Sequence, residues 1–314
     1  MLAIRRFVQG EDEEAWLSVW NVVYGRRWDL APMTVGEMMA SEESPDFDAE
    51  GRFIAEENDK PVGIVHANVD KFREEKKGFV RVLAVLPKFG GKGIEEKLAK
   101  MALEELRKRG MKVAQSAADG EQQDIIRLWE DLGFKLVRKF SLMTRNLTEI
   151  HSGLGENKEI TLKQLQRESD EDLKKLNWLD NESFKEHFNW RPSPLERTIY
   201  FVRKDPFFKQ QEWYFALSDQ QHVGYIGVGV DQSYNAQRNT KSGWILDIGV
   251  LKPQRRTGIG TMLMLHGMHR LKTMGMATAM LGVDDWNVTK AMHLYEKVGF
   301  KVARKELAYE RSIE

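Results

Sequence analysis

At 314 residues the chain is long enough for two domains, each able to bury its own core. Lys plus Arg and Asp plus Glu both number 48, so there is no basic surplus of the kind a nucleic-acid binder shows. Cysteine is absent, which excludes disulfides, thiolate metal sites and a cysteine nucleophile. No apolar run nears the ~18 residues of a membrane helix, and no signal core follows Met1-Leu2-Ala3-Ile4-Arg5-Arg6, so a soluble cytoplasmic protein is expected.

In chain order, Ala3-Ile4-Arg5 reads as a first strand, followed by a helix whose Trp16, Trp20 and Tyr24 repeat every fourth residue as a core stripe. Phe53-Ile54-Ala55-Glu56 and Val62-Gly63-Ile64-Val65 flank Asn58-Asp59-Lys60-Pro61 and predict a β-hairpin. The mixed run Arg73-Glu74-Glu75-Lys76-Lys77 reads as a solvated turn. Leu83-Ala84-Val85-Leu86-Pro87 is a strand running into Gly90-Gly91-Lys92-Gly93-Ile94 and a helix. Leu128-Trp129-Glu130-Asp131-Leu132-Gly133-Phe134 ends a helix at a glycine and starts a strand.

A seam is expected at His151-Ser152-Gly153-Leu154-Gly155, after which Glu159-Ile160-Thr161-Leu162 restarts a strand. A helical pattern spans Glu171 to Phe184, and His187-Phe188-Asn189-Trp190-Arg191-Pro192 turns toward a second short helix. Tyr214-Phe215-Ala216-Leu217 and Val223-Gly224-Tyr225-Ile226 form a second hairpin around Ser218-Asp219-Gln220-Gln221. Ile248-Gly249-Val250-Leu251-Lys252-Pro253 then runs into Thr257-Gly258-Ile259-Gly260 and the helix Thr261-Met262-Leu263-Met264-Leu265. Met262, Met264 and Met268 read as core filler, and His266 with His269 lack a third metal ligand. Leu294-Tyr295-Glu296-Lys297-Val298-Gly299-Phe300 closes this half as 128–134 closed the first. Ala55 and Ala216, Val62 and Val223, and Asp70 and Asp231 all stand the same distance apart. The chain is a tandem repeat, residues 1–150 and 155–314, each half an α/β (α+β) unit with a mixed twisted sheet flanked by helices.

The glycine loop of the second half follows a strand and opens a helix. A helix start offers unpaired N–H groups and partial positive charge, and Gly258 and Gly260 let backbone approach a ligand, so a pyrophosphate is the natural guest. Arg255 and Arg256 add mobile cations beside it. A dinucleotide fingerprint fails because Leu263 stands where its third glycine belongs, and a P-loop fails because Leu86 stands where its first belongs.

Val250 to Gly260, with Asn287 and Tyr295 to Phe300 downstream, resembles the GNAT superfamily of N-acetyltransferases, and Arg255, Gly258 and Gly260 fill its [QR]-x-x-G-x-[GA] loop. The tandem layout is most similar to the mycothiol synthase branch. The resemblance implies a splayed mixed sheet with acetyl-CoA in the cleft. It implies that the backbone of Ile248, Gly249 and Val250 holds the pantetheine arm and polarises the acetyl carbonyl, that Arg255, Arg256, Thr257, Gly258, Ile259, Gly260 and Thr261 wrap the pyrophosphate, and that Asn287 binds the pantetheine region. It implies no metal. It places 187–192 in one wall of the acceptor pocket.

Tyr295 stands at the family's position for the acid that protonates the leaving thiolate. A tyrosine of pKa about 10 is protonated at neutral pH and can donate to a thiolate whose thiol has a pKa of about 8.5. Asp247, Asp284 and Asp285 are candidate bases, and strand alternation leaves open which layer Asp247 faces. In the first half Gly90 replaces Arg255, Glu95 replaces Gly260, Glu121 replaces Asn287 and Trp129 replaces Tyr295, so that half is expected to be degenerate. The expected function is transfer of an acetyl group to a primary amine of a small molecule. The alternative is a non-catalytic acyl-CoA-binding or scaffold protein. The acceptor itself is not encoded legibly.

Overall fold

A computed structural model of the chain describes residues 1–150 and 159–314, so the expected seam at His151–Gly155 lies outside the described residues. The chain groups into two compact units, Met1–Lys139 with Glu306–Glu314, and Phe140–Lys305.

Unit 1 runs β1 (Leu2–Arg6), α1 (Glu13–Val23), α2 (Val35–Glu42), β2 (Arg52–Glu57), β3 (Lys60–Val69), β4 (Lys77–Val85), α3 (Ile94–Lys108), β5 (Val113–Asp119) and α4 (Gln123–Asp131). The next strand, β6 (Lys135–Asn146), enters the sheet of unit 2. Unit 2 continues with β7 (Ile160–Gln164), α5 (Asp170–Phe184), α6 (Leu195–Arg203), β8 (Gln210–Ser218), β9 (Gln221–Val230), α7 (Gln232–Arg238), β10 (Ser242–Val250), α8 (Ile259–Thr273), β11 (Thr278–Asp284) and α9 (Ala291–Lys297). The last strand, β12 (Lys301–Ser312), returns to unit 1, where Glu306–Ser312 pairs with β5.

Each unit therefore holds a six-stranded mixed sheet, β1-β2-β3-β4-β5-β12 and β7-β8-β9-β10-β11-β6. Among the described residues of these two sheets, β4–β5 and β10–β11 are the parallel pairs. The sheets are α/β as expected. The hairpin turns are tighter than the four-residue stretches read from sequence: Asn58-Asp59 and Asp219-Gln220 alone lie at positive φ, which gives two-residue turns matched to strand twist, and Lys60 and Gln221 already belong to the following strands. Helix α7 was not foreseen; Asp231 caps it by accepting from the Tyr234 N–H.

Both faces of each sheet are covered. In unit 1, α3 packs Ile94, Leu98 and Leu106 onto one face, and the Trp16–Trp20–Tyr24 stripe of α1 packs onto the other with Ile54, Ile64 and Ala84. In unit 2, α8 sets Leu263, Met264 and Met268 against Ile226, Val228 and Ile245, while α5 sets Leu173, Leu176 and Leu179 against Trp213, Phe215 and Tyr225 on the opposite face. The methionines are core filler, as their spacing suggested.

Candidate active site

The sheet of unit 2 opens at its middle. β10 and β11 pair only over Ser242–Trp244 and Thr278–Met280, although β10 runs on to Val250 and β11 to Asp284. A bulge at Leu246 marks where β10 bends away. Beyond it, Leu251 N–H donates to Val223 O at 2.9 Å. In this antiparallel register residues 249 and 251 turn their backbone groups toward β9, and Ile248 and Val250 turn theirs into the wedge. On the other strand, Leu147 N–H donates to Ala277 O at 2.8 Å, so Gly282 and Asp284 face the wedge from β11. A Cβ built on Gly282 would meet nothing within 4 Å. The wedge is lined by bare main chain.

Two wedge groups already have partners. Ile248 N–H is held by its neighbour's Asp247 Oδ1 at 2.8 Å, and Val250 O accepts from Arg255 Nε at 3.1 Å. This leaves Ile248 C=O and Val250 N–H as the acceptor and donor for an amide-bearing arm. Asn287, in the loop after β11, commits its side-chain oxygen to Thr289 N (2.7 Å) and Thr289 Oγ1 (2.6 Å), which fixes its amide orientation and leaves its NH2 without a described partner.

At the mouth of the wedge α8 begins on Gly258, whose φ of 92° suits glycine. No side chain caps this start and its first turn carries no acid. The first N–H groups of Ile259, Gly260 and Thr261 therefore lack intrahelical partners and have the helix dipole behind them, and a Cβ built on Gly258 would meet nothing within 4 Å. Thr257 Oγ1 ties back to Gln254 O at 2.8 Å. The two arginines are less mobile than the sequence suggested. Arg255 is a strut: besides Val250 O it reaches Ser183 O (2.9 Å) and Glu186 (3.1 Å), fastening the end of α5 to the end of β10. Arg256, itself at φ 69°, donates to Thr289 O at 3.0 Å and links the loop to the Asn287 turn.

Tyr295 lies on α9, buried against Phe300 with 7% exposure. Burial first, and the nearby Asp247 carboxyl second, raise its hydroxyl above the ordinary tyrosine value. Its hydroxyl makes no hydrogen bond to a described residue. Asp247 faces the α5 layer: its Oδ2 accepts from Tyr225 Oη at 2.7 Å, and Asp180 Oδ1 on α5 sits 3.0 Å from the same hydroxyl. Burial, then the charge of Asp180, push Asp247 up to about 8. Asp284 is close enough to act on His187 of the α5–α6 connection, while burial keeps that imidazole below its usual value. Asp285 instead faces Ser141 Oγ and Lys305 Nζ, each at 2.5 Å, in a separate ionic cluster. Of the three carboxylates read from sequence, Asp247 is thus the one held beside Tyr295.

Sequence reasoning missed Asp180, Tyr225 and Ser183. Asp180 could have been flagged, since it continues the buried Leu173–Leu176 spacing of α5 with a charged residue. Gly249 is a close-approach glycine: an added Cβ would stand against the Tyr225 ring and 2.9 Å from Ser183 Oγ, a buried hydroxyl with no partner among the described residues.

The same wedge in unit 1 is filled from within. Leu86 N–H donates to Val62 O at 2.8 Å, so Leu83 turns its carbonyl into the wedge, and there it accepts from Tyr24 Oη at 2.9 Å. Ile313 N–H donates to Lys112 O, so Ala117 faces the wedge from β5, and its carbonyl accepts from the indole N–H of the fully buried Trp129 at 3.3 Å. Glu95 and Glu96 occupy the first turn of α3.

Comparison with known proteins follows the same lines. The family model described as "Acetyltransferase (GNAT) family" matches twice, at residues 15–134 and 172–300. The chain is similar to mycothiol acetyltransferases, being 29% identical to that of Streptomyces coelicolor over 147 residues (47% of each chain) and 31% identical to that of Thermomonospora curvata over 133 residues (42% of this chain, 44% of the relative). The similarity thus spans less than half the length of these curated relatives. Among solved structures, a GCN5-related N-acetyltransferase from Sphaerobacter thermophilus superposes with a TM-score of 0.73 at 21% identity, covering 100% of this chain and 96% of that one. A tandem GNAT protein from the clavulanic acid biosynthesis pathway gives 0.78 at 13%, covering 100% and 99%. At these identities the likeness is one of fold.

Proposed function

Because the chain belongs to the acetyltransferase (GNAT) family, matched in both halves, we propose that it transfers the acetyl group of acetyl-CoA to a primary amine of a small-molecule acceptor, with unit 2 as the working site. The observation that carries this reading is the contrast between the two wedges. In unit 2 the carbonyls of Ile248 and Gly282 have no partner among the described residues and the helix start is free of acid; in unit 1 Tyr24 and Trp129 take the corresponding carbonyls and glutamates stand at the helix start.

In this reading the N–H groups of Gly258 to Thr261 hold the pyrophosphate. The pantetheine arm lies in the wedge against Ile248 C=O, Val250 N–H and the Asn287 amide, with Gly249 keeping the strand close to α5. The acceptor enters from the α5–α6 side, past 187–192. An alkylammonium of pKa about 10.4 must shed a proton before attack, and Asp247 is the carboxylate held at the wedge. The amine attacks the thioester carbonyl, the C–S bond breaks, and Tyr295 donates its proton to the departing thiolate. Arg255 acts through position, locking β10 to α5. The first copy, unit 1, is degenerate and binds no acetyl-CoA, so one is bound per chain, by unit 2.

Similarity to mycothiol acetyltransferases puts amino-sugar conjugates first in a panel of amine acceptors. Since the chain has no cysteine, a thiol reagent reads released CoA with no protein background. Acetyl-CoA and one of these amines should release CoA and yield the N-acetyl product. Acetyl-CoA binding without product from any amine in the panel would favour a non-catalytic acyl-CoA-binding or scaffold protein.

A further inference from the structure

Asp247 does not stand alone. Tyr225 Oη lies 2.7 Å from Asp247 Oδ2 and 3.0 Å from Asp180 Oδ1, and the two carboxyls are also within hydrogen-bonding reach of each other. Tyr225 is fully buried, packed against Trp213. Its hydroxyl carries one proton and can donate to one carboxylate only. For both contacts to be hydrogen bonds, one further proton must reside on the carboxyl pair. Asp247 Oδ1 is already satisfied by the Ile248 N–H, so that proton belongs between Oδ2, Tyr225 and Asp180.

We propose that Asp180, Tyr225 and Asp247 form a single proton-sharing unit that receives the acceptor's ammonium proton, with Asp180 the positioning residue that makes Asp247 a proton acceptor at working pH. The inference rests on the acetyltransfer reading of this same site. With both carboxyls ionised the unit carries two negative charges. It takes one proton from the incoming ammonium, whose charge goes from +1 to zero, and becomes singly negative. The second proton lost by nitrogen after attack replaces the one Tyr295 gives to sulfur. Overall, one ammonium and acetyl-CoA yield an amide, CoA thiol and one released proton, which leaves through the Asp247–Tyr225–Asp180 chain.

The charged groups around the unit are few. Arg191 of the α5–α6 connection and Arg197 of α6 act on Asp180 and favour its ionised form; Tyr295 faces Asp247 from α9. Burial opposes ionisation of both carboxyls, and each carboxylate opposes the other. The two therefore titrate as a pair, both raised by burial, with Asp247 pushed up to about 8. The result is a base whose strength is set by a partner on a different element.

The test is carbon NMR of the full chain labelled at the aspartate carboxyl carbon, titrated from acid to alkaline pH in wild type, Asp180→Asn, Asp247→Asn and Tyr225→Phe. One carboxyl carbon should titrate above neutrality in wild type and vanish from that range in Asp247→Asn. In Asp180→Asn it should fall by about one pH unit or more as the like charge is removed. Tyr225→Phe keeps the ring and removes the hydroxyl that favours the ionised form, so the resonance should move up. An aspartate spectrum with no carbon titrating above the ordinary range, or one unmoved in both Asp180→Asn and Tyr225→Phe, overturns the proposal. The titration needs no turnover, so failure of acetyl transfer leaves it readable. Where turnover is found, the acid limb of the kcat/KM profile should move down in Asp180→Asn, and a limb that stays in place while the amine is still acetylated counts against this inference alone.

Discussion

Replacing Asp247 by Asn should change how the stability of unit 2 depends on pH, and the size of the change can be worked from the fold. The folded-state pKa of Asp247 is pushed up to about 8, against about 3.9 in an unfolded chain. Between those values the folded chain holds one more proton than the unfolded chain. The sign follows: the stabilisation associated with the neutral carboxyl is complete below the unfolded value and declines as pH rises toward the folded one. The slope for one proton is about 1.4 kcal/mol per pH unit, so from pH 6 to pH 8 wild type loses roughly 2 to 3 kcal/mol from this group. Asparagine preserves the shape and the hydrogen bonds to Tyr225 and Ile248 but has no proton to lose, and it relieves Asp180 of a like charge. Urea unfolding at the two pH values, followed by circular dichroism, should show a wild-type decline that Asp247→Asn lacks; the wild-type minus variant difference cancels the histidines, among them His187 and His266, whose burial lowers their pKa. Parallel pH dependence in the two proteins would refute the idea of a protonated, buried carboxyl at this position.

Tyr295→Phe should lower kcat by about 10²-fold or more and leave the acetyl-CoA dissociation constant unchanged, measured by steady-state kinetics and calorimetry. Gly260→Glu places in α8 the carboxylate that Glu95 places in α3; its Cβ needs only the flexible Leu294 tip, 3.2 Å away, to yield, and acetyl-CoA affinity should fall at least about tenfold with the fold intact. Calorimetry of wild type should give one acetyl-CoA per chain. In Trp129→Ala, unit 1 should lose roughly 3–5 kcal/mol of stability with that stoichiometry unchanged. Arg255→Ala removes the bonds to Val250, Ser183 and Glu186 and should raise the KM for amine and acetyl-CoA together, because one strut fixes both walls.

Much of the architecture is local and therefore legible. The hairpins, the Gly258-Ile259-Gly260 helix start and the Trp16–Trp20–Tyr24 stripe each declare themselves over a few residues, and their recurrence reveals the tandem. The site divides differently. The loop is a local pattern and Asn287 a position that the family resemblance points to, so both could be named as candidates from sequence. The Asp180–Tyr225–Asp247 unit joins a helix and two strands from distant segments, and periodicity carries no information about which polar side chains meet across layers. Strand alternation alone could not orient Asp247, because the bulge at Leu246 resets the alternation. The filling of the unit 1 wedge was half visible: Trp129 could be aligned with Tyr295, whereas the role of Tyr24 depends on which carbonyls of β4 face away from β3.

The crossing-over of β6 and β12 has a consequence for biosynthesis. The partner that completes β5 is residues 306–312, made almost two hundred residues later. At roughly 5–20 residues per second on the ribosome, that edge of the first sheet waits some ten seconds or more for its neighbour, exposing unpaired main-chain groups meanwhile. A gene cut at the middle of the tandem would yield two fragments each carrying the other's closing strand, so they should accumulate in folded form only when produced together.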